Sequence, residues 1–173
     1  MTGDDGALRI VGERVVVRSV TDNDLAALES VMACPGVRAW WWDFEIGKFA
    51  AEPPDPDSVA LVIEHDGEVI GYMQFSEEES IQYRSAGIDL ALHDDHQGVG
   101  YGRDAVRTLA RYLFEIRGHH RITIDPAVAN ERAIRCYEGV GFRPVGVMRQ
   151  YERGPDGSWH DGLLMDLIAG ELN

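Results

Sequence analysis

The sequence predicts an α/β protein with a mixed, mostly antiparallel central sheet flanked by helices. Strand-like runs rich in β-branched residues recur along the whole chain, hairpin signals join several of them in pairs, and helix-like runs come between them. The 173 residues are enough to bury one core, and no repeat, low-complexity segment or linker divides them. We therefore expect a single domain over residues 1–173.

The first half of the chain predicts one helix between strand-like segments. Val15-Val16-Val17 is β-branched, Thr21 and Asp22 are suitable N-caps, and Pro35-Gly36 ends the helix that follows them. His65-Asp66-Gly67 separates two apolar runs and predicts a hairpin. The predicted elements are a strand over residues 8–20, a helix from 21 or 22 to about 32, a loop over 51–58, and strands over 59–64 and 68–75.

The second half predicts two helices among strands, and it finishes in a hairpin. Gly139 and Gly141 stop the second of these helices, and Gly154-Pro155-Asp156-Gly157 forms the last turn. The predicted elements are a strand ending near residue 92, a helix over 99–117, a strand over 121–125, a helix over 129–138, and strands over 142–151 and 159–168.

The charge balance is strongly acidic. Sixteen basic side chains face 30 acidic ones, which gives a formal charge of −14. Nucleic acids and anionic membranes need a basic footprint, so the balance argues against both as partners. It favours a small cationic partner through electrostatic steering, although acidity that merely keeps the protein soluble would give the same balance.

Cysteine usage and the N-terminal residues indicate a cytoplasmic protein. Cys34 and Cys136 lie far apart, form no metal or redox motif, and are expected to be reduced thiols. No apolar run is long enough to span a bilayer, and the first residues lack the basic and apolar regions of a signal peptide. We expect no metal, and the sequence leaves open whether the protein is a monomer or a homodimer.

Residues 97–102, Gln-Gly-Val-Gly-Tyr-Gly, form a glycine-rich turn between a strand-like run and a helix-like run. Such a turn directs unpaired backbone N–H groups and the positive end of the helix dipole at one point, which makes it a seat for phosphate. The turn is not a Walker A loop, because no Gly-Lys-Ser/Thr follows, and its spacing is not the dinucleotide fingerprint.

A second motif follows about thirty residues later. It reads Asn130-x-x-Ala133-x-x-x-Tyr137-x-x-x-Gly141-Phe142. Together, the two motifs resemble the signatures of the GCN5-related N-acetyltransferases, which bind acetyl-CoA. That resemblance implies the fold of this superfamily, with the glycine turn on the diphosphate, the asparagine on the pantetheine arm, and the tyrosine hydroxyl near the thioester sulfur.

The resemblance implies that acetyl-CoA binds as the acetyl donor. Main-chain N–H groups of the strand before the loop would bind the thioester carbonyl, and the loop and the second motif would hold the rest. The residues expected to bind acetyl-CoA are Leu90, Ala91, Leu92, Gln97, Gly98, Val99, Gly100, Tyr101, Gly102, Arg103, Asn130, Ala133 and Tyr137.

Within this superfamily the sequence is most similar to the aminoglycoside 6'-N-acetyltransferases, which confer antibiotic resistance. The matching strings are residues 38–41, 71–74, 87–89, 125–126, 130 and 132–138. The resemblance implies acetylation of the 6'-amino group by direct attack in a ternary complex. The chain departs from the family in a loop at 50–60 that looks short and a hairpin at 151–161 that looks long and polar, and both are expected to border the acceptor pocket.

Two carboxylates and one tryptophan are the candidate acceptor-binding residues. Asp89 lies on the strand face opposite Ile88 and Leu90, and Asp125 ends the next strand, so the two would converge if the strands are neighbours. A polyamine sugar needs such carboxylates, because each ammonium must be paired when it leaves water. Asp89 is the candidate general base, either directly or through water, and Trp41 is the candidate wall for the sugar.

Tyr137 is the candidate donor of a hydrogen bond to the departing thiolate of CoA. Its neighbour Cys136 is not expected to act as a nucleophile, because a helix turns about 100° per residue and the two side chains should not both face the cleft.

Two other functions remain open at this stage. One keeps the fold and changes the acceptor to a lysine-derived siderophore precursor or a protein N-terminus. The other is a non-catalytic protein that binds CoA or an aminoglycoside, against which the intact Asp89, Asn130 and Tyr137 argue.

Overall fold

The computed structural model describes residues 7–44 and 58–173, and eight strands of these residues form one sheet. The strands are β1 (Arg9–Val11), β2 (Val16–Ser19), β3 (Ser58–His65), β4 (Glu68–Glu78), β5 (Ser85–Leu92), β6 (Arg121–Ile124), β7 (Arg143–Arg153) and β8 (Trp159–Ile168). Their spatial order is β1-β2-β3-β4-β5-β6-β8-β7. All neighbours pair antiparallel except β5 and β6, which are parallel, so the predicted mixed and mostly antiparallel sheet is confirmed.

The helices flank this sheet. They are α1 (Leu25–Ala33), α2 (Pro35–Arg38), α3 (Tyr101–Glu115) and α4 (Glu131–Glu138), and short 3-10 turns occur at Asp22–Asp24 and Asp94–His96. Successive side chains of a strand point to opposite faces of the sheet, and helices pack on both faces. Leu61, Met73 and Ile88 pack with α3 on one face, and Val62 and Tyr72 pack with α1 on the other.

The prediction of one strand over residues 8–20 is wrong, since this segment forms β1 and β2 with a turn between them. In the turn, the N–H of Gly12 donates to the carbonyl of Val15 at 2.8 Å. A Cβ at Gly12 would lie 2.5 Å from the hydroxyl oxygen of Thr108 on α3, so only glycine allows the chain to fold back so close to the helix.

The prediction that Pro35-Gly36 ends the first helical segment also needs correction. α1 ends at Ala33, and Pro35 then occupies the first position of α2, where its missing N–H has no helical partner to lose. Thr21 is an N-cap as predicted, but it caps the 3-10 turn Asp22–Asp24, where its N–H donates to the carboxylate of Asp24 at 2.8 Å. The N-cap of α1 itself is Asp24. Residues 51–57 of the predicted proline-rich loop lie outside the described residues, and Ser58 begins β3.

Asp104, in the first turn of α3, ties this helix to the β1–β2 turn. Its buried carboxylate accepts the backbone N–H groups of Glu13, Arg14 and Val15 at 3.2, 2.7 and 3.0 Å. These three bonds fix the N-terminal end of α3 against the edge of the sheet.

We expect Asp104→Ala to destabilise the protein by about 3 kcal/mol, because it removes the acceptor of three backbone N–H groups. For a chain of this length the melting temperature should fall by about 10 °C, as measured by thermal unfolding. Glu115→Ala removes an exposed carboxylate from the same helix and should leave the melting temperature nearly unchanged. An equal loss in the two variants would contradict the role of Asp104.

Candidate active site

The site lies where the sheet separates between its two parallel strands. β5 and β6 pair through Ala86 with Ile122 and Gly87 with Thr123, and within the described residues their pairing goes no further. A cavity of about 790 Å³ opens beyond this point. The last four residues of β5, the residues that follow β6, the loop before α3 and the inner side of α4 all line it.

The glycine loop forms one end of this cavity. Gly98 and Gly100 have φ angles of +77° and +98°, which residues other than glycine rarely adopt. Gly100 is also the N-cap of α3. Both glycines line the cavity together with Gly102 and Arg103. The predicted phosphate seat therefore has the required form, a glycine turn at the N-terminus of a 15-residue helix.

Three of the predicted loop residues, Gln97, Val99 and Tyr101, either bond within the protein or do not line the cavity. The amide of Gln97 donates to the carbonyl of Leu92 at 2.7 Å, which holds the loop to the end of β5. The hydroxyl of Tyr101 lies 2.9 Å from Nε2 of His65, and Arg14 stacks over the ring of Tyr101 at 4.3 Å. Val99 does not line the cavity, and neither does Tyr101, so their place in the acetyl-CoA site stays a prediction.

Arginines give this end of the cavity a positive charge, against the overall sign of the protein. Arg103, Arg132 and Arg135 line it. The guanidinium of Arg103 lies so close to Gly139, after the end of α4, that a Cβ there would be 2.3 Å from its Nη2. The cavity can therefore accept an anionic group beside the glycine loop.

The second motif supplies the wall formed by α4. Asn130 is the N-cap, and its side-chain oxygen accepts the N–H of Ala133 at 3.2 Å. Asn130, Ala133, Cys136 and Tyr137 all line the cavity, so the expectation that Cys136 and Tyr137 face different directions is wrong. The cavity is wide enough to contact two adjacent positions of the helix. Burial raises the pKa of the Cys136 thiol, which disfavours the thiolate that a nucleophile would need.

Asp89 is held in place by a chain of hydrogen bonds across β4. The hydroxyl of Tyr72 donates to the amide oxygen of Gln74 at 2.8 Å, and the amide nitrogen of Gln74 donates to Asp89 at 3.0 Å. Burial, followed by repulsion from Asp125, raises the pKa of Asp89 despite the bond from Gln74. The carboxylate is thus fixed in orientation and more basic than an ordinary aspartate.

Asp89 and Asp125 both line the cavity, so the predicted convergence of two carboxylates agrees with the geometry. β7 adds Tyr151 and Glu152, which the sequence interpretation did not single out. A hydrogen bond to Asp125 raises the pKa of Tyr151 to about 12, and burial followed by Asp125 raises the pKa of Glu152. The sequence signal for these two residues was the unusual polarity of the last hairpin.

Trp41 lies between the cavity and the core. It lines the cavity, and its ring meets the rings of Phe44 and Tyr72 edge-on at centroid distances of 5.7 and 5.8 Å. Trp40 also lines the cavity and is more exposed. The triplet therefore supplies two rings to the cavity, where the sequence interpretation had selected one.

Tyr137 is buried and lines the cavity. Burial is the main reason that its pKa is raised, and Cys136, Asp89 and Asp125 raise it further. The side chain therefore stays a neutral phenol at physiological pH and can donate its proton in a hydrogen bond.

Residues 7–44 and 58–173 contain no cluster of three His, Cys, Asp or Glu side chains that could hold a metal ion. No helix in this part of the chain is long and apolar enough to cross a membrane.

The fold is that of acyltransferases that take their acyl group from an acyl-CoA thioester. A model of the acetyltransferase (GNAT) family matches residues 25–142. The chain belongs to that family, and acetyl-CoA is therefore its acetyl donor.

Relatives and solved structures agree with this assignment. The chain is 30% identical to an aminoglycoside N(6')-acetyltransferase type 1 of Klebsiella pneumoniae over 164 residues, covering 84% of this chain and 80% of the relative. The structure of Mycobacterium smegmatis RimJ with CoA-disulfide has a TM-score of 0.80 at 26% identity, covering 96% and 88% of the two chains. The structure of AAC(6')-Ib with paromomycin and acetyl-CoA has a TM-score of 0.74 at 26% identity, covering 91% and 94%.

Proposed function

We propose that the protein acetylates an aminoglycoside at its 6'-amino group and thereby confers resistance. The observation that carries this proposal is the group of three carboxylates, Asp89, Asp125 and Glu152, around one cavity. A polycationic sugar supplies the ammonium groups that such carboxylates would pair with. The Klebsiella relative, at 30% identity, supports this choice of acceptor. Because acetyl-CoA is made and used in the cytoplasm, the proposal implies a cytoplasmic enzyme.

The residues around the glycine loop fit the acetyl donor. Backbone N–H groups at Gly98, Gly100 and Gly102 would bind its diphosphate, and Arg103 would add a positive charge. Asn130 and Ala133 would hold the pantetheine arm. The donor supplies an acetyl thioester, and main-chain N–H groups of residues 90–92 would polarise its carbonyl.

The carboxylates then prepare the acceptor. An alkylammonium has a pKa near 10.4 when unperturbed, so it must lose a proton before it can attack a thioester. Asp89, with its raised pKa and fixed orientation, would take that proton directly or through water. Asp125 and Glu152 would pair with the neighbouring ammonium groups, and Trp40 and Trp41 would contact the sugar. The amine attacks the thioester carbonyl directly, with both substrates bound.

We expect Tyr137→Phe to lower kcat by about 10- to 100-fold with little change in the KM for acetyl-CoA. The phenol would donate a hydrogen bond to the leaving thiolate only as the bond to sulfur breaks, so its loss affects the transition state. The measurement is steady-state CoA release. Tyr83→Phe, at an exposed tyrosine, is the matched control and should retain normal kcat. A wild-type rate in Tyr137→Phe would contradict the assigned role.

The proposed function is tested by CoA release from acetyl-CoA with a panel of acceptors. The panel contains kanamycin, tobramycin, amikacin, paromomycin as the 6'-hydroxyl analogue, spermidine, a hydroxylysine siderophore precursor and short peptides. Turnover of the 6'-amino compounds with none of paromomycin is expected. If only the siderophore precursor, spermidine or peptides are acetylated, the protein is an acetyltransferase with a different acceptor from the one proposed. Binding without any turnover would indicate a non-catalytic protein.

A further inference from the structure

A second cavity adjoins the site. It has a volume of about 410 Å³ and lies between Trp40 and Trp42 on one side and the β7–β8 hairpin on the other. Trp40, Ala127 and Glu152 line both cavities, so the second one continues the acceptor side of the first. Glu152 stands at the junction.

The walls of this second cavity are tied together. The indole N–H of Trp42 donates to the carbonyl of Arg153 at 2.7 Å, which joins the tryptophan segment to the hairpin. The N–H of Val128 donates to the carbonyl of Asp161 at 2.9 Å, and Ala127 bridges to Gly162. The cavity is therefore a formed groove rather than a gap between independent loops.

The chemistry of the lining favours a sugar ring that carries an amine. Trp40, Trp42 and Trp159 supply flat apolar surfaces, and Trp159 is 59% exposed. The carboxylates are those of Glu152 and Asp161.

Two basic side chains also face this cavity and bond within the hairpin. The hydrogen bond to Asp156 raises the pKa of one of them, His160, and the charges of Glu152 and Asp161 help to raise it. Nε of Arg153 donates to the carbonyl of Gly157 at 3.2 Å, and His160 pairs with Asp156 at 3.0 Å. One oxygen of Asp161 accepts the N–H of Gln150 at 2.8 Å, so its second oxygen, the carboxylate of Glu152 and the indole faces can bind a protonated amino sugar.

We infer that this second cavity binds a further amino-sugar ring of the acceptor, beyond the ring whose amine is acetylated. The inference rests on the proposed function and adds to it a preference for acceptors of three rings over acceptors of two. One wall of the cavity, the β7–β8 hairpin, lies outside residues 25–142, which the family model matches, so this wall is not part of the matched family pattern.

The test compares neamine with kanamycin B in wild type and Trp159→Ala. The two acceptors share the same two rings and the same 6'-amine, and kanamycin B adds a third amino-sugar ring. We expect Trp159→Ala to raise the KM for kanamycin B about 10-fold and to leave the KM for neamine and both kcat values within about twofold. Trp159→Phe, which keeps an aromatic face, should restore most of the affinity.

Tyr83→Ala removes an aromatic side chain that is 72% exposed at a distant turn, and it should change neither KM. A KM that stays constant for both acceptors in Trp159→Ala, or that rises equally for both, overturns the second subsite while the proposed function stands. If the wild type acetylates neither compound, the proposed function is wrong and the subsite inference is wrong with it.

Discussion

Replacing Asp89 with asparagine is expected to lower kcat/KM for the acceptor by about 10²- to 10⁴-fold, the range typical of a lost general base. Asparagine can still accept the hydrogen bond from Gln74, so the side chain should keep its place while losing its basicity. The groups proposed to hold most of acetyl-CoA, the glycine loop and α4, do not include Asp89, so the Kd of acetyl-CoA should stay nearly unchanged. Steady-state kinetics and calorimetric titration with acetyl-CoA measure the two effects separately.

The pH dependence gives a second readout of the same residue. Burial raises the pKa of Asp89, so the carboxylate is lost on acidification at a higher pH than for an ordinary aspartate. The wild-type kcat should therefore fall on the acid side as pH passes through this raised pKa, and the residual rate of Asp89→Asn should lack that fall. The same acid limb in both proteins would exclude Asp89 as the titrating group.

Asp89→Asn should also stabilise the protein at neutral pH. When folding raises the pKa of a carboxyl, the protein becomes less stable as pH rises from the pKa of the unfolded state, about 3.9, to the pKa of the folded state. The full loss of stability is present above the pKa of the folded state, and it is absent well below the pKa of the unfolded state. Single stabilising substitutions commonly add about 0.5–2 kcal/mol to the free energy of unfolding, and a gain within this range is expected here.

The melting temperature of Asp89→Asn should therefore exceed that of the wild type at pH 7, and the difference should shrink as pH is lowered towards 4. Asp95→Asn removes an exposed carboxylate that does not line the cavity and should show no such gain. A variant that is both inactive and less stable at pH 7 would indicate damage to the fold rather than loss of a base.

Gly98→Val is expected to weaken acetyl-CoA binding by about 100-fold. At φ +77° the valine side chain forces the loop out of its left-handed conformation and moves the backbone N–H groups away from the diphosphate. The loss of about 2.7 kcal/mol corresponds to this factor. Equilibrium titration with CoA measures it directly.

Gly118→Val is a closely matched control. Gly118 has a φ of +74°, and an added Cβ would meet nothing within 4 Å at either glycine. Both variants therefore carry a similar backbone strain, and only Gly98 lines the cavity. We expect similar melting temperatures for the two variants and a normal CoA affinity for Gly118→Val. Equal affinities in the two variants would show that the loop does not bind the diphosphate.

The sequence predicted the fold class well because the signals for it are local. The glycine turn, the β-branched runs and the hairpin at residues 65–67 each specify their own backbone. The split of residues 8–20 into β1 and β2 was missed because it depends on Asp104 and Thr108, about ninety residues away. A distant carboxylate that accepts backbone N–H groups leaves no pattern in the sequence of the segment whose turn it stabilises.

The same distinction applies to the site. Asp89 and Asp125 could be selected because strand alternation and the parallel neighbour relation place them together. Glu152 could not be selected in this way, since its position depends on how the β7–β8 hairpin packs beside Ala127. The cavity width that brings both Cys136 and Tyr137 to its surface is likewise a tertiary property, and helical periodicity alone gave the wrong answer for this pair.

The early end of the β5–β6 pairing at Gly87 has a consequence for the lifetime of the protein in a cell. From Ile88 onwards, no described residue of β6 pairs with β5, so the bound donor contributes contacts that the chain itself does not make there. A ligand at 100 times its Kd stabilises the folded state by about 2.7 kcal/mol. The resistance of this enzyme to proteolysis, and with it its abundance, would then follow the metabolic supply of acetyl-CoA.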